Sequence, residues 1–362
     1  MQEWMKSRMN QWSICLILSA SALIITARCS SEFAHWYSVH IYQGVVNVIG
    51  RAMGMIPISV SESLLYLLIF AALYQFVRRI FGTYKRRAGG RSVFFLMSVL
   101  YFLYVVNCGV NYQRESFAEN IGLEIPSYTV EDLKTVCRKL TKKVNETANQ
   151  VSRGEDGTMI LSEEIDRQVV ETMEAQGKVY EVLSGCYPKP KGLLFPWILS
   201  IQNLTGVYSP FTVEANYNTE MPAYNIPFTA CHELSHLRGF MQEEEANFIA
   251  YLSSSQSDYK EFQYSGSLMG WIYCMNVLYQ VEYDSWETIR AELSPQTEVD
   301  LEENSKFWGK YDTKVAEVAN QVNDTYLKAN GQSDGVKSYD KVVDLIVAYE
   351  MQKGGLTSIT GN

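Results

Sequence analysis

Three long apolar runs in the first third of the sequence constrain the fold most, because such runs must lie in lipid or be wholly buried. Residues 12–27 read WSICLILSASALIITA, residues 56–77 read IPISVSESLLYLLIFAALYQFV, and residues 93–112 read VFFLMSVLYFLYVVNCGVNY. A helix of roughly 20 residues crosses a bilayer core about 30 Å thick. The second and third runs reach that length, the second despite Glu62 near its entry. The first run is short and is read as an uncleaved span. A cleaved signal peptide is the alternative, but Arg28 interrupts the small residues that a cleavage site needs. Residues 1–113 are therefore expected to form a membrane anchor of about three transmembrane helices.

Charge divides the chain at the same place. Residues 1–113 carry ten Lys/Arg against three Asp/Glu, a balance of +7. Residues 114–362 carry twenty-one against thirty-seven, a balance of −16, which together give the −9 of the whole chain. The basic residues gather at Lys6 and Arg8 and again between the second and third runs, at Arg78, Arg79, Lys85, Arg86, Arg87 and Arg91. Short basic loops stay on the cytoplasmic side. Everything after residue 113 is then expected outside the cytoplasm, whether the first run is retained or cleaved. An acidic domain of this kind lacks the basic face that nucleic acid requires. It is also repelled by anionic lipid, so lipid contact falls to the N-terminal helices. The intervening 28–55 stretch, with Val45, Val46, Val48, Ile49 and Met53, reads as an amphipathic external segment. Seven cysteines with no Cys-x-x-Cys pair argue against a disulfide framework or a cysteine zinc knuckle.

After residue 113 the pattern becomes globular and mainly helical. Thr129 precedes Glu131 and Asp132 and an apolar stripe of Leu133, Val136, Cys137 and Leu140, which predicts a helix over 128–150. A polar turn at 151–158 leads to a second helix over 162–183. The segment 186–196 holds three prolines and reads as loop. Residues 206–218, GVYSPFTVEANYN, mix β-branched and aromatic residues with turn formers and predict a strand or short hairpin. A long, mainly helical region follows over 227–282, then helices at roughly 285–293, 297–330 and 338–351.

The chemistry lies in His232-Glu233-Leu234-Ser235-His236. Pro227 suits the first turn of a helix and Gly239 its end. Histidines four apart project from one helical face, where two imidazole nitrogens can grip a tetrahedral Zn2+. Glu233, one residue on, then stands where a general base is needed. The motif arises by chance in about one chain per hundred of this length. Here, however, two of only four histidines fall in it, on a helix made apolar by Ala230, Cys231, Leu234 and Leu237. A third ligand is required, and Gln242 stands where one zinc-peptidase class places a third histidine. The run Glu243-Glu244-Glu245 opens the next helix. Glu243 shares a small-residue face with Ala246, Asn247 and Ala250 and is the preferred ligand, with Glu245 as the alternative. Asn247, one turn on, is suited to orienting a ligand histidine. The 211–217 segment, FTVEANY, is a candidate substrate-holding edge strand. Tyr208, Tyr217 and Tyr264 are candidate donors to a developing oxyanion. Arg238 reads as a surface or structural cation.

His232-Glu233-x-x-His236 followed by Glu243-x-x-Ala246-Asn247 resembles the gluzincin pattern, in which two histidines and a glutamate from a second helix hold zinc. Membrane-embedded members of that group have Glu-x-x-Ala-Asp on the second helix. Glu243 matches the liganding glutamate, and Asn247 stands in place of the aspartate. The stretches GLLFP (192–196), GVYSPFTVEAN (206–216), PFTACHELSHLRGF (227–240), EEEANFIAYL (243–252) and YLKANGQSDGVKSY (326–339) resemble a bacterial family of unknown function. Its members combine N-terminal spans with a zinc-peptidase domain expected from sequence. The resemblance implies the His/His/Glu site and names no substrate. The expectation is a multi-pass membrane protein whose mainly α gluzincin-like domain, with a small β element, uses Zn2+ to hydrolyse a peptide or protein substrate. His232, His236 and Glu243 would hold the metal and Glu233 would be catalytic. A zinc-stabilised sensor or scaffold, and a zinc hydrolase of non-peptide amides, are the alternatives.

Overall fold

The computed structural model describes residues 8–81, 89–332 and 341–359. Mostly helical with one small sheet, the chain divides into two compact units. Residues Met1–Glu115 with Ser209–Glu214 form one, and Ser116–Tyr208 with Ala215–Asn362 form the other.

The first unit contains α1 (Arg8–Cys29), α2 (Val60–Ile80) and α3 (Gly89–Tyr104), the last extended by a π-turn at Val105–Gly109 and a 3-10 turn at Asn111–Gln113. Among the described residues, three helices are long and apolar enough to cross a membrane: Arg8–Cys29, Val60–Ile80 and Gly90–Gln113. Along α2 the large apolar side chains Leu67, Phe70, Leu73 and Phe76 are all exposed, as expected of a helix that is apolar all round and surrounded by lipid. The first helix is longer than its apolar run. The second begins at Val60 rather than residue 56, because the Ser59 hydroxyl accepts the Glu62 N–H and sets the start. Residues 28–55 are helical over Ser31–Tyr37 and onward to Arg51–Gly54, with π-turns at Ser38–Tyr42 and Val46–Gly50. Their inward side is set by Tyr42 and Val46, whereas Val48 and Ile49 are exposed. Lys6, Lys85, Arg86 and Arg87 lie outside the described residues.

In the second unit, α4 (Val130–Ala148) starts as the sequence predicts. Thr129 accepts the Asp132 N–H, Asp132 accepts the Thr129 N–H, and Leu133, Val136, Cys137 and Leu140 are buried. Next comes α5 (Ile165–Val179), ending in a 3-10 turn at Glu181–Leu183. A three-stranded sheet follows: β1 (Lys191–Gly192), β2 (Gly206–Ser209) and β3 (Glu214–Tyr217), in the order β1-β3-β2 with β1 and β3 parallel. The segment expected to be pure loop thus contributes the two-residue β1.

The expected helical region resolves into α6 (Asn225–Leu237), α7 (Glu243–Ser255) and α8 (Lys260–Val281). These three pack on one another, and α8 also packs on α4. Beyond them lie α9 (Tyr283–Arg290), α10 (Pro295–Gly309), α11 (Lys314–Ala329) and α12 (Lys341–Ile359). The single helix expected over 297–330 is two, broken after Gly309. A buried polar lock ties α10 to the turn before α5. The Asp300 carboxylate accepts from Arg153 at 3.0 Å, from the Met159 N–H at 2.8 Å and from the Tyr264 hydroxyl at 2.5 Å. All seven cysteines carry free thiols.

Candidate metal centre

Helix α6 carries the motif, and its neighbours fix its two ends. No side chain at Tyr224 caps its start. Instead the buried Ser265 hydroxyl, on α8, accepts the Phe228 N–H at 3.1 Å and donates to the Tyr224 carbonyl. At the other end Gly239 takes a left-handed conformation, φ +95°, with its N–H on the His236 carbonyl at 2.8 Å and the Phe240 N–H on that of Ser235 at 3.1 Å. This turn reverses the chain in six residues, from Leu237 to Gln242, and brings α7 back against α6. It also brings the Phe240 carbonyl to the ring it has just passed. His236 Nδ1 lies 2.8 Å from that oxygen and donates its proton to it, so that Nε2 is the nitrogen that can offer a lone pair once it gives up its proton.

His232, His236 and Glu243 converge, with one donor atom from each inside a 4.8 Å cluster. The two rings stand nearly perpendicular, 4.5 Å between centroids. Glu243 Oε2 is 3.5 Å from His232 Nε2, and Oε1 is 3.6 Å from His236 Nε2. Both separations exceed an ordinary hydrogen bond. They are close to the edge of a tetrahedron around zinc, about 3.3–3.4 Å for bonds of about 2.0–2.1 Å. Two imidazoles and a carboxylate are also the ligand chemistry that zinc accepts. On distance and donor type the residues present fit a zinc ion.

Burial shapes the titration of these groups. It lowers His232 to about 4, with the nearby His236 charge acting the same way. At His236 burial also lowers, but the Glu243 carboxylate beside it outweighs that, and the value rises to about 9. Burial pushes Glu243 up, yet His236 and His232 more than offset that and hold it below the ordinary carboxylate range. Glu233 goes to about 8, raised first by burial, against His236 and with Glu243. Three ionisable groups held this close together are the arrangement a divalent cation stabilises when it displaces their protons.

Glu233 is outside the three-residue cluster and buried, and its Oε2 finds no hydrogen-bond donor. The carboxylate packs directly on β2. A Cβ placed on Gly206 would fall 2.5 Å from Glu233 Oε1, 2.8 Å from its Cγ and 2.9 Å from the Asn216 carbonyl oxygen. Only glycine permits this approach.

Of the alternative residues, Glu245 is turned away, its Oε1 accepting the Phe117 N–H at 2.6 Å. Glu244 binds Gln332 at 2.5 Å. Asn247 lies within reach of His232. Its Oδ1 accepts from the Tyr273 hydroxyl at 3.2 Å. The 211–217 segment is not an edge strand, because β3 is the middle strand of the sheet and β2, against Glu233, is the edge. Tyr217 and Tyr264 are committed elsewhere, donating to Asp166 at 2.8 Å and to Asp300 at 2.5 Å. Arg238 is a buried structural cation, not a surface one, with its guanidinium 5.8 Å over the Tyr187 ring. Sequence reasoning missed the Phe240 carbonyl, Gly206 and Tyr273. Only Gly206, a glycine opening a β-rich stretch, left a signal.

The family model described as "Protein of unknown function (DUF3810)" matches residues 37–347. No curated protein and no solved structure matches the chain. The matched stretch takes in all of α6 and α7 and most of the rest of the sequence, and the chain belongs to the DUF3810 family.

Proposed function

We propose that this protein is a membrane-anchored zinc-dependent metallopeptidase of the gluzincin type, acting on a peptide or protein in the cell envelope. One observation carries the reading. His232, His236 and Glu243 converge at tetrahedral spacing while a fourth, buried side chain, Glu233, stands next to them with an unsatisfied oxygen. A helix corner that merely packed two histidines would have no use for a buried carboxylate lacking a donor.

His232 and His236 would hold the metal through Nε2, and Glu243 through its carboxylate. The Phe240 carbonyl fixes the His236 tautomer for that task. Zinc at this position supplies Lewis acidity, polarising the scissile carbonyl and making water a nucleophile at neutral pH. Glu233 takes the proton from the attacking water and returns it to the leaving amine. Burial raises its carboxyl above the ordinary carboxylate range, the direction that suits a group holding a proton between accepting it and giving it back. β2 is the sheet edge beside Glu233, and its exposed Val207 lies where an extended peptide would add as a further strand.

The acidic second unit is read as lying outside the cytoplasm, from the basic residues between the second and third apolar runs. Incubating the purified full chain, in detergent, with a quenched-fluorescent peptide library tests the reading. Cleavage lost in Glu233→Gln with zinc retained supports it. A metal-loaded wild type that cleaves no more than Glu233→Gln favours a zinc-stabilised scaffold.

A further inference from the structure

The hairpin bearing the edge strand β2 has its tip in the first unit. Residues Ser209–Glu214 group with the apolar helices, whereas Gly206, against Glu233, belongs to the second unit. The tip is fastened by specific bonds. One Glu214 carboxylate oxygen accepts the Val60 N–H at 3.1 Å, and the other accepts the Ser61 N–H at 2.8 Å. On the far side of the turn, Asn107 Nδ2 donates to the Pro210 carbonyl at 2.7 Å. Glu214 and Asn107 are both buried.

The backbone of α2 explains why the acceptor is a carboxylate. A helix start leaves its first N–H groups without internal partners. Ser59 takes the third, that of Glu62, at 3.1 Å. Glu214 takes the first two. Both of its oxygens are needed, and the positive end of a 21-residue helix favours its charge. From Leu64 to Leu73 α2 is apolar apart from Tyr66, so water cannot be relied on to satisfy these donors. A second sign of restraint is Val213, held at φ +55° and fully buried. A β-branched residue keeps that conformation only where its surroundings dictate it.

We infer that Glu214 is a positioning residue: by clamping the hairpin tip to the first turn of α2, it holds β2 in register beside Glu233. The clamp stands on its own bonds, and only its consequence for hydrolysis rests on the peptidase reading.

Hydrogen–deuterium exchange of the full chain in detergent, read by mass spectrometry, tests this without any substrate. Glu214→Gln keeps the size but offers one acceptor where two are needed. Exchange in 205–209 should quicken about tenfold, while α4 and the zinc content stay as in wild type. Glu214→Asp, which keeps both oxygens, should restore part of the protection. Asn107→Ala should loosen the same residues from the other side. Unchanged exchange in 205–209 for both Glu214→Gln and Asn107→Ala would overturn the inference. So would an equal rise in β2 and α4, since Glu214 would then serve overall stability only. Lost zinc or absent hydrolysis in the wild type would instead count against the peptidase reading and leave the clamp standing.

Discussion

Replacing Gly206 by alanine probes the packing of β2 on the Glu233 carboxylate. The added Cβ would meet Glu233 Oε1 at 2.5 Å, Glu233 Cγ at 2.8 Å and the Asn216 carbonyl oxygen at 2.9 Å. Comfortable contact lies near about 3.5–4.0 Å, so three atoms are overlapped by roughly 0.6–1.5 Å. The carboxylate tip can swing aside. The Asn216 oxygen, part of the backbone of β3, cannot. Overpacking of this kind costs about 1–3 kcal/mol. At roughly 2–4 °C per kcal/mol for a unit of this size, the midpoint should fall by roughly 2–12 °C. The assay is thermal unfolding of the full chain in detergent, followed by intrinsic fluorescence, with zinc measured on the same samples. Zinc content should not change, because the atoms nearest the added Cβ belong to Glu233 and Asn216 and not to His232, His236 or Glu243. Peptide cleavage should fall further than the small loss of folded protein explains, because Glu233 is displaced. Val207→Ala, at an exposed position on the same strand, should do little. An alanine variant with the wild-type midpoint and activity would refute the packing of β2 on Glu233.

Exchanging the two candidate third ligands separates their roles. Glu243→Gln should abolish stoichiometric zinc. Glu245→Gln should keep the zinc and lose about 1–3 kcal/mol through the weakened bond to Phe117, as read by chemical unfolding. Gly239→Ala forces a Cβ into a left-handed turn at a cost of about 1–2 kcal/mol. Because that turn presents the Phe240 carbonyl to His236, zinc affinity measured by competition with a chelator should also weaken, by roughly 10–100-fold. Unaltered affinity would show that this carbonyl does not orient the ligand. Arg153→Met strands the buried Asp300 carboxylate and should cost about 3–5 kcal/mol with zinc content intact. A loss under 1 kcal/mol would mean that Asp300 is satisfied by Tyr264 and Met159 alone.

Features fixed by local geometry were legible in the sequence. The start of α4 follows from Thr129 and Asp132, and the common face of His232 and His236 follows from their spacing of four. The position of Glu243 rests on Gly239, which closes one helix and leaves a short corner before the next. Features that depend on distant partners were not legible. β1 is two residues long and exists only because β3, more than twenty residues later, pairs with it. Without that pairing β3 reads as an edge, which is why the sequence offers the 211–217 segment as a candidate substrate-holding strand. Phe240 reaches His236 through its backbone, and its side chain says nothing of that. The break after Gly309 does carry a signal, Gly309 followed by Asp312 and Thr313 at the start of the next helix, but helical periodicity on both sides masks it. Glu214 is one acidic residue among many until Val60 and Ser61 are seen to need it.

The central claim is a zinc ion held by His232, His236 and Glu243. Zinc per chain, measured by inductively coupled plasma mass spectrometry on the full-length protein purified in detergent from zinc-replete cells, tests it most directly. One zinc per wild-type chain is expected, falling to near zero in His232→Ala and Glu243→Ala variants that remain folded. A folded wild-type chain without zinc, or variants that keep it, would contradict the claim.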